Sequence, residues 1–299
     1  MMKCMIVGLR SIELGVTNIE RATEFYEKAW GLEQVSAEDG TRFFRAGGKE
    51  HHVVSIKQTD TPRVLGVTLA AANRTAVDEI HANAGKAGIE IGVQPRILPE
   101  AAGGGYGVTL LGAEGLPVTI SCDVVFLEAR PENHSKPYNL THVVLNSGDV
   151  KKQMAFYCDF LGFRISDSTA RMEFIRCGTD HHSIAFAHGE GLSLNHAAFE
   201  MKDIDGLMYG AGRMMDFGHE VEWGLGRHGP GSNVFSYFVD PDGFAIEYTT
   251  EMQQIEDENY QPKDIQYWSD FPRRPCRWGV ARKPSGRLME AMSGKNQNR

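Results

Sequence analysis

Residues 11–33, SIELGVTNIERATEFYEKAWGLE, and residues 142–164, HVVLNSGDVKKQMAFYCDFLGFR, are two renderings of one pattern. At a single constant offset Phe25-Tyr26 falls on Phe156-Tyr157, and Gly31-Leu32 falls on Gly162-Phe163. Each copy opens with alternating apolar residues, the period of a half-buried strand. Thr17-Asn18 or Gly148-Asp149 then supplies a turn or helix cap, and the apolar residues beyond it recur at helical spacing. A repeat of this kind defines the architecture before any motif is considered, and it makes each copy a control for the other.

Working outward, each copy continues alike. Short β-rich stretches follow at Thr41–Phe44 with His52–Ile56, and at Met172–Ile175 with Ser183–Phe186. Val64–Leu69 and Leu194–Phe199 then predict new strands, followed by helices around Ala76–Gly88 and Leu207–Gly218. Each copy closes in a hairpin, turning at Gly112-Ala113-Glu114-Gly115 or at Asp240-Pro241-Asp242-Gly243. The expectation is an α+β fold of tandem βαβββ modules, two per copy, forming two curved sheets or barrels. The expected divisions are a first module at 1–128, a linker at 129–138, a second module at 139–255 and a tail at 256–299. The tail contains YWSDFPRRPCRW and is expected to be irregular, packed by its aromatic residues and frayed at its polar end.

Composition narrows the function classes. A net charge of -8 excludes the clustered Lys and Arg excess that a nucleic acid or an anionic membrane requires. The cysteines, Cys4, Cys122, Cys158, Cys177 and Cys276, are odd in number and form no C-x-x-C pair, which fits a reducing compartment. Neither a signal-peptide pattern nor an apolar run of about 18 residues is present. These features predict a soluble, cytoplasmic chain with a small-molecule partner.

The contrast between the copies points to chemistry. His142 and His196 stand at strand starts and Glu247 lies on the last strand, whereas their first-copy counterparts are Ser11, Gly66 and Thr119. A single strand-start His or final-strand Glu is usually structural or solvated. Three together, absent from the sister copy, argue for a metal site. Two imidazoles and one carboxylate that leave open positions suit a non-haem ferrous centre handling dioxygen, and zinc accepts the same donors.

The segment Gly226–Tyr248, GRHGPGSNVFSYFVDPDGFAIEY, resembles the corresponding part of type I extradiol dioxygenases of the vicinal oxygen chelate superfamily, which include catechol, dihydroxybiphenyl and homoprotocatechuate ring-cleaving enzymes. The resemblance extends over about residues 8 to 252 and is most specific between His182 and Tyr248. It implies that His142, His196 and Glu247 hold Fe(II), with Mn(II) as the alternative. It further implies that His182 is the acid/base histidine, and that His228 and Tyr237 contact the catechol hydroxyls and the bound oxygen. A catechol must lose protons to chelate a metal, so a base and hydrogen-bond donors are needed beside its hydroxyls. An imidazole, which changes charge near neutral pH, suits the proton donor on the oxygen side. The implied partners are a catecholic substrate and O2, in a homo-oligomer, tetrameric or octameric.

Two departures bear on the substrate. Val144 stands where homoprotocatechuate-type enzymes carry Asn, and Trp223 where they carry Arg, so an apolar or bulky catechol is favoured over a carboxylated one. Arg273, Arg274 and Arg277 in the tail are the remaining candidates for an acidic group. Trp223 and Phe186 are candidate pocket residues, and Arg227 is a candidate carboxylate partner or brace for the Gly-rich loop. Strand alternation assigns His181 to the sheet face opposite His182. His51, His52, His81, His134, His188 and His219 are expected at the surface or in packing roles. The rival readings on this scaffold are a glyoxalase-like lyase or a transferase, the former normally having a fourth protein ligand that is missing here, and a metal-free small-molecule binder.

Overall fold

The computed structural model describes residues 5–130, 133–256, 258–271 and 276–297. Cys4, Arg273 and Arg274 lie outside the described residues. In the first copy β1 (Ile6–Val16), β2 (Glu33–Glu38), β3 (Thr41–Arg45), β4 (Val54–Gln58), β5 (Arg63–Ala71), β6 (Ile91–Ile97), β7 (Tyr106–Leu111) and β8 (Pro117–Cys122) form one sheet in the order β2-β3-β4-β1-β5-β8-β7-β6. In the second, β9 (Asn139–Ser147), β10 (Arg164–Ser168), β11 (Met172–Arg176), β12 (Ile184–His188), β13 (Ser193–Glu200), β14 (Trp223–Arg227), β15 (Val234–Val239) and β16 (Ala245–Thr250) repeat that order as β10-β11-β12-β9-β13-β16-β15-β14. Helices α1 (Ile19–Glu24), α2 (Arg74–Ala87), α3 (Val150–Met154) and α4 (Ile204–Asp216) each follow the opening strand of a unit. The chain is therefore βαβββ four times over, two units to a sheet, as the repeat predicts.

Local chemistry explains the helix starts. Asn18 and Asp149 sit in non-helical conformations and accept backbone N–H groups from Arg21 and Lys152 through their side chains, and Asn73 and Asp203 cap α2 and α4 in the same way. Both α1 and α3 run on into a π-helical turn, Phe25–Trp30 and Ala155–Phe160. Such turns are frequent at functional sites, but this one occurs in both copies and therefore belongs to the scaffold. It brings Tyr26, Trp30 and Tyr157 fully into the core.

The two sheets share that core. The Trp30 indole stacks on Tyr248 with ring centroids 3.8 Å apart, and the Tyr248 hydroxyl donates to the Trp30 carbonyl at 2.7 Å. Arg213 of α4 donates to the same carbonyl at 2.9 Å and to the Tyr248 hydroxyl at 2.8 Å. The Asp240–Gly243 turn is gripped by the first copy: Asp242 Oδ1 accepts from the Thr17 backbone N–H at 2.8 Å, and Asp240 Oδ2 accepts from the Tyr26 hydroxyl at 3.1 Å. Gly48 N–H reaches the Tyr138 carbonyl at 2.7 Å, an approach at which any Cβ on residue 48 would collide with that oxygen.

The tail departs from expectation. It contains two helices, α5 (Ile265–Asp270) and α6 (Gly286–Met292), and its polar segment is tied down as far as Gln297. Gln297 is buried, accepting from Leu194 N–H at 2.7 Å and donating to Leu194 C=O at 2.8 Å. Leu194 pairs with Leu145 of β9 but precedes the stretch of β13 that β16 covers, which begins at Ala197, and the Gln297 amide supplies Leu194 with a strand-like pair of bonds. No helix among the described residues is long and apolar enough to cross a membrane.

Replacing Trp30 with Ala removes a fully buried side chain at the junction of the two sheets, and is expected to cost about 3–5 kcal/mol of stability. Urea unfolding followed by tryptophan fluorescence and circular dichroism checks this; an unshifted midpoint would mean that the junction contributes nothing.

Candidate metal centre

Strand register brings the site together. Ala198 on β13 pairs with His142 on β9 on one side and with Glu247 on β16 on the other. His196 lies two residues before Ala198, on the same face of the same strand. The first copy has the same frame, with Thr68 between Ser11 and Thr119 and with Gly66 two residues earlier. The counterparts expected from sequence are thus equivalent by hydrogen-bond register. The small Ala198 leaves room for the flanking side chains to converge over it.

Their donor atoms lie within 4.8 Å of one another. Glu247 Oε2 is 3.4 Å from His142 Nε2 and 3.3 Å from His196 Nε2, with all three residues buried. Asn195 Oδ1 stands 2.8 Å from His196 Nδ1, so Nδ1 carries the proton and the Nε2 lone pair faces Glu247. Asn233 Nδ2 donates to Glu247 Oε1 at 3.2 Å, whereas Oε2 accepts no hydrogen bond among the described residues. A buried carboxylate oxygen with no hydrogen-bond donor among the described residues, facing the Nε2 atoms of two imidazoles, one with its lone pair turned inward, fits a divalent cation at the point of convergence. His142 Nδ1 lacks the second partner that metal-bound imidazoles usually have.

His228 and Tyr237 sit on the far side of Glu247. His228 Nε2 is 3.0 Å from the Tyr237 hydroxyl and 3.9 Å from Glu247 Oε1. The His228 ring stacks on Phe235 at 4.0 Å, and Trp223 stacks on Tyr237 at 5.2 Å. Burial pushes His228 down to about 4, and burial with the Glu247 charge holds the Tyr237 phenol well above its ordinary value. Both are therefore neutral at pH 7. The His182 ring lies 4.2 Å from that of His142, and burial, then the neighbouring imidazoles, keeps it well below the usual histidine range.

Five of these six residues line one cavity of about 1240 Å³, and the sixth, Glu247, has no exposed surface and lies against His142 and His196 behind that lining. Val144, Phe174, Trp223, Trp268, Phe271 and Met292 make its walls predominantly apolar. Phe186 is not among them; it faces the core on β12, 5.3 Å from Tyr157. Arg277 is engaged elsewhere, donating to Ser232 Oγ at 3.1 Å and lying over Phe271. Arg227 pairs with Glu251 and also braces the loop by donating to the Ser232 carbonyl at 2.6 Å. The alternation argument for His181 fails because the strand begins only at Ile184; in the preceding loop His181 and His182 turn toward each other. Asn233, missed by sequence reasoning, was open to the same comparison between copies, since register places Gly105 at its first-copy position.

A family model for the Glyoxalase/Bleomycin resistance protein/Dioxygenase superfamily matches residues 8–107 and 139–248. "Metapyrocatechase 2" of Cupriavidus necator is 37% identical over 122 residues, 40% of this chain and 38% of that protein. The "iron-dependent extradiol dioxygenase" of Rhodococcus jostii is 31% identical over 137 residues, 40% of this chain and 46% of that protein. The chain thus spans less than half the length of these two relatives. The crystal structure of a Mn(II)-bound glyoxalase from Novosphingobium aromaticivorans superimposes with a TM-score of 0.84 at 33% identity, covering 95% of this chain and 94% of that one.

Glu247→Gln removes the buried negative charge, and is expected to abolish retention of a divalent metal after gel filtration. His182→Asn is expected to retain one metal ion per chain. Metal analysis of both variants decides the matter, and equal loss in the two would place His182 among the ligands.

Proposed function

The chain belongs to the Glyoxalase/Bleomycin resistance protein/Dioxygenase superfamily, and on that footing we propose that it is an extradiol dioxygenase, opening a catechol ring beside its hydroxyls with both atoms of O2. The observation that carries this reading is the buried His142–His196–Glu247 trio opening on an apolar cavity next to three further neutral, proton-handling groups.

Fe(II) is the proposed ion and Mn(II) the alternative, since both accept two imidazoles and a carboxylate. When bound, such an ion supplies a common site for the two catechol oxygens and dioxygen. His228, neutral at pH 7, accepts a proton from a catechol hydroxyl at its free lone pair, and the Tyr237 hydroxyl donates to the oxyanion left behind. His182 stands beside the His142 ring and serves as the acid/base group on the oxygen side, taking up the second catechol proton at its free nitrogen and later returning it. Val144, Phe174 and Trp223 exclude water and hold the ring in place, and the tail side chains Trp268 and Phe271 close the cavity. Arg171 also lines the cavity, but the walls are predominantly apolar and favour an alkylated, aryl-substituted or polycyclic catechol over a carboxylated one. Exposed Met208, Tyr209, Met215 and Phe217 on and just beyond α4 support a homo-oligomer, and the cysteine pattern supports a cytoplasmic setting.

One observation favours a second reading. The solved structure that is 33% identical over almost the whole chain is described as a glyoxalase. The absence of a fourth donor from the trio among the described residues favours the dioxygenase.

Anaerobic loading with Fe(II), then admission of air with 3-methylcatechol, 2,3-dihydroxybiphenyl or homoprotocatechuate, is expected to give a yellow ring-opened product and equimolar oxygen uptake, fastest with the apolar substrates. Silence on every catechol despite one bound metal per chain, together with turnover of a thiol-derived hemithioacetal, would establish the lyase instead.

A further inference from the structure

Behind the cavity wall lies a chain of buried polar groups that the reaction as described does not use. His182 Nδ1 is 3.0 Å from His181 Nδ1, and His181 Nε2 is 3.0 Å from Asp167 Oδ2. Asp167 and His181 have no exposed surface and His182 has 3%. The other Asp167 oxygen, Oδ1, accepts from the Lys263 backbone N–H at 2.8 Å and from the Tyr260 hydroxyl at 3.2 Å, both contributed by the tail. Phe174 packs edge-on against His181 and His182, at 5.9 and 5.1 Å.

The sister copy separates scaffold from function. It keeps the paired histidines, with His51 Nδ1 3.2 Å from His52 Nδ1. The register of β2 with β3, compared with that of β10 with β11, puts Ser36 where the second copy has Asp167. Ser36 donates to the Ala101 carbonyl and makes no recorded bond to His51. The contact between histidines is thus inherited by both copies. The carboxylate behind it, with its tail donors, is found only beside the metal-ligand trio, the same pattern of difference that singles out His142, His196 and Glu247.

We infer that Asp167 and His181 are positioning residues that hold His182 in a single orientation and tautomer, with its proton on Nδ1 and the Nε2 lone pair left for the cavity. The polarity runs in one direction. Asp167 Oδ1 already accepts two N–H or O–H groups, and Oδ2, as a carboxylate oxygen, can only accept, so His181 Nε2 carries a proton. The inference gives His181 a single ring proton, the one on Nε2; its Nδ1 is then an acceptor, and the 3.0 Å contact places the proton on His182 Nδ1. Because Lys263 and Tyr260 supply the donors to Oδ1, the tail that closes the cavity also orders the group serving it.

The proposal rests on the dioxygenase reading for its catalytic meaning, but its test does not. In full-length protein labelled with 15N-histidine, metal-free and Zn(II)-loaded, the His182 ring is expected to appear as the Nδ1–H form. Asp167→Asn should reverse it: the tail donors keep the amide oxygen on their side, the amide N–H2 faces His181, and each proton in the chain shifts so that His182 presents Nε2–H. With metal content unchanged, catechol turnover should then fall about 100-fold or more in kcat, with little change in KM. His181→Gln, whose amide can still donate to Asp167 and accept from His182, should keep the Nδ1–H form and most of the activity, whereas His181→Leu should keep neither. Nε2–H on His182 in the unaltered protein overturns the inference even if no variant folds, and so does a tautomer indifferent to Asp167→Asn. Absence of catechol turnover in the unaltered protein counts against the dioxygenase reading alone.

Discussion

An ionised carboxylate sealed from water has to be met by positive charge or by donors on every oxygen, and Glu247 is sealed completely. One of its oxygens has Asn233; the other faces two imidazole nitrogens, and the His196 lone pair, turned toward it by Asn195, repels it. That arrangement is unfavourable for the protein alone and favourable once a cation lies at its centre. The surrounding structure serves to keep it from relaxing. Central strands fix the three backbones, Ala198 keeps the space between two of them clear, and Asn195 fixes the orientation of one ring. Part of the binding energy of the ion is therefore stability of the fold.

Duplication makes the specialised parts visible. Both copies share strand order, caps, the π-helical turn and even a histidine pair before the fourth strand. The first copy also keeps a cavity in the equivalent place, about 400 Å³ in volume and lined by Ser11, His52, Gly66 and Thr119. What it lacks is the set of side chains that makes a buried charge sustainable.

The architecture and the trio were legible because each leaves a trace in a linear pattern: periodicity for the strands and helices, and contrast between aligned copies for His142, His196 and Glu247. His181 was misjudged because alternation applies only inside a strand, and β12 starts three residues later. Asp167 and Asn233 carry no motif. Ser36 and Gly105 at the matching first-copy positions were the available signal, but the short strands around them are too weakly periodic to align without the sheet register. The ordering of the tail was not legible at all, because it depends on a stretch of β13 at Leu194 left uncovered by β16, which only the folded sheet reveals. Gln297 looks like any polar terminal residue until that gap appears.

The stacked Trp30 and Tyr248 rings make the two halves interdependent. Tyr248 directly follows Glu247, so the aromatic surface against which the last ligand strand is set belongs to the other half of the chain. Cut apart, the second half would present that strand without its backing. The half without the ligand trio is thereby held to its shape whatever chemistry it carries.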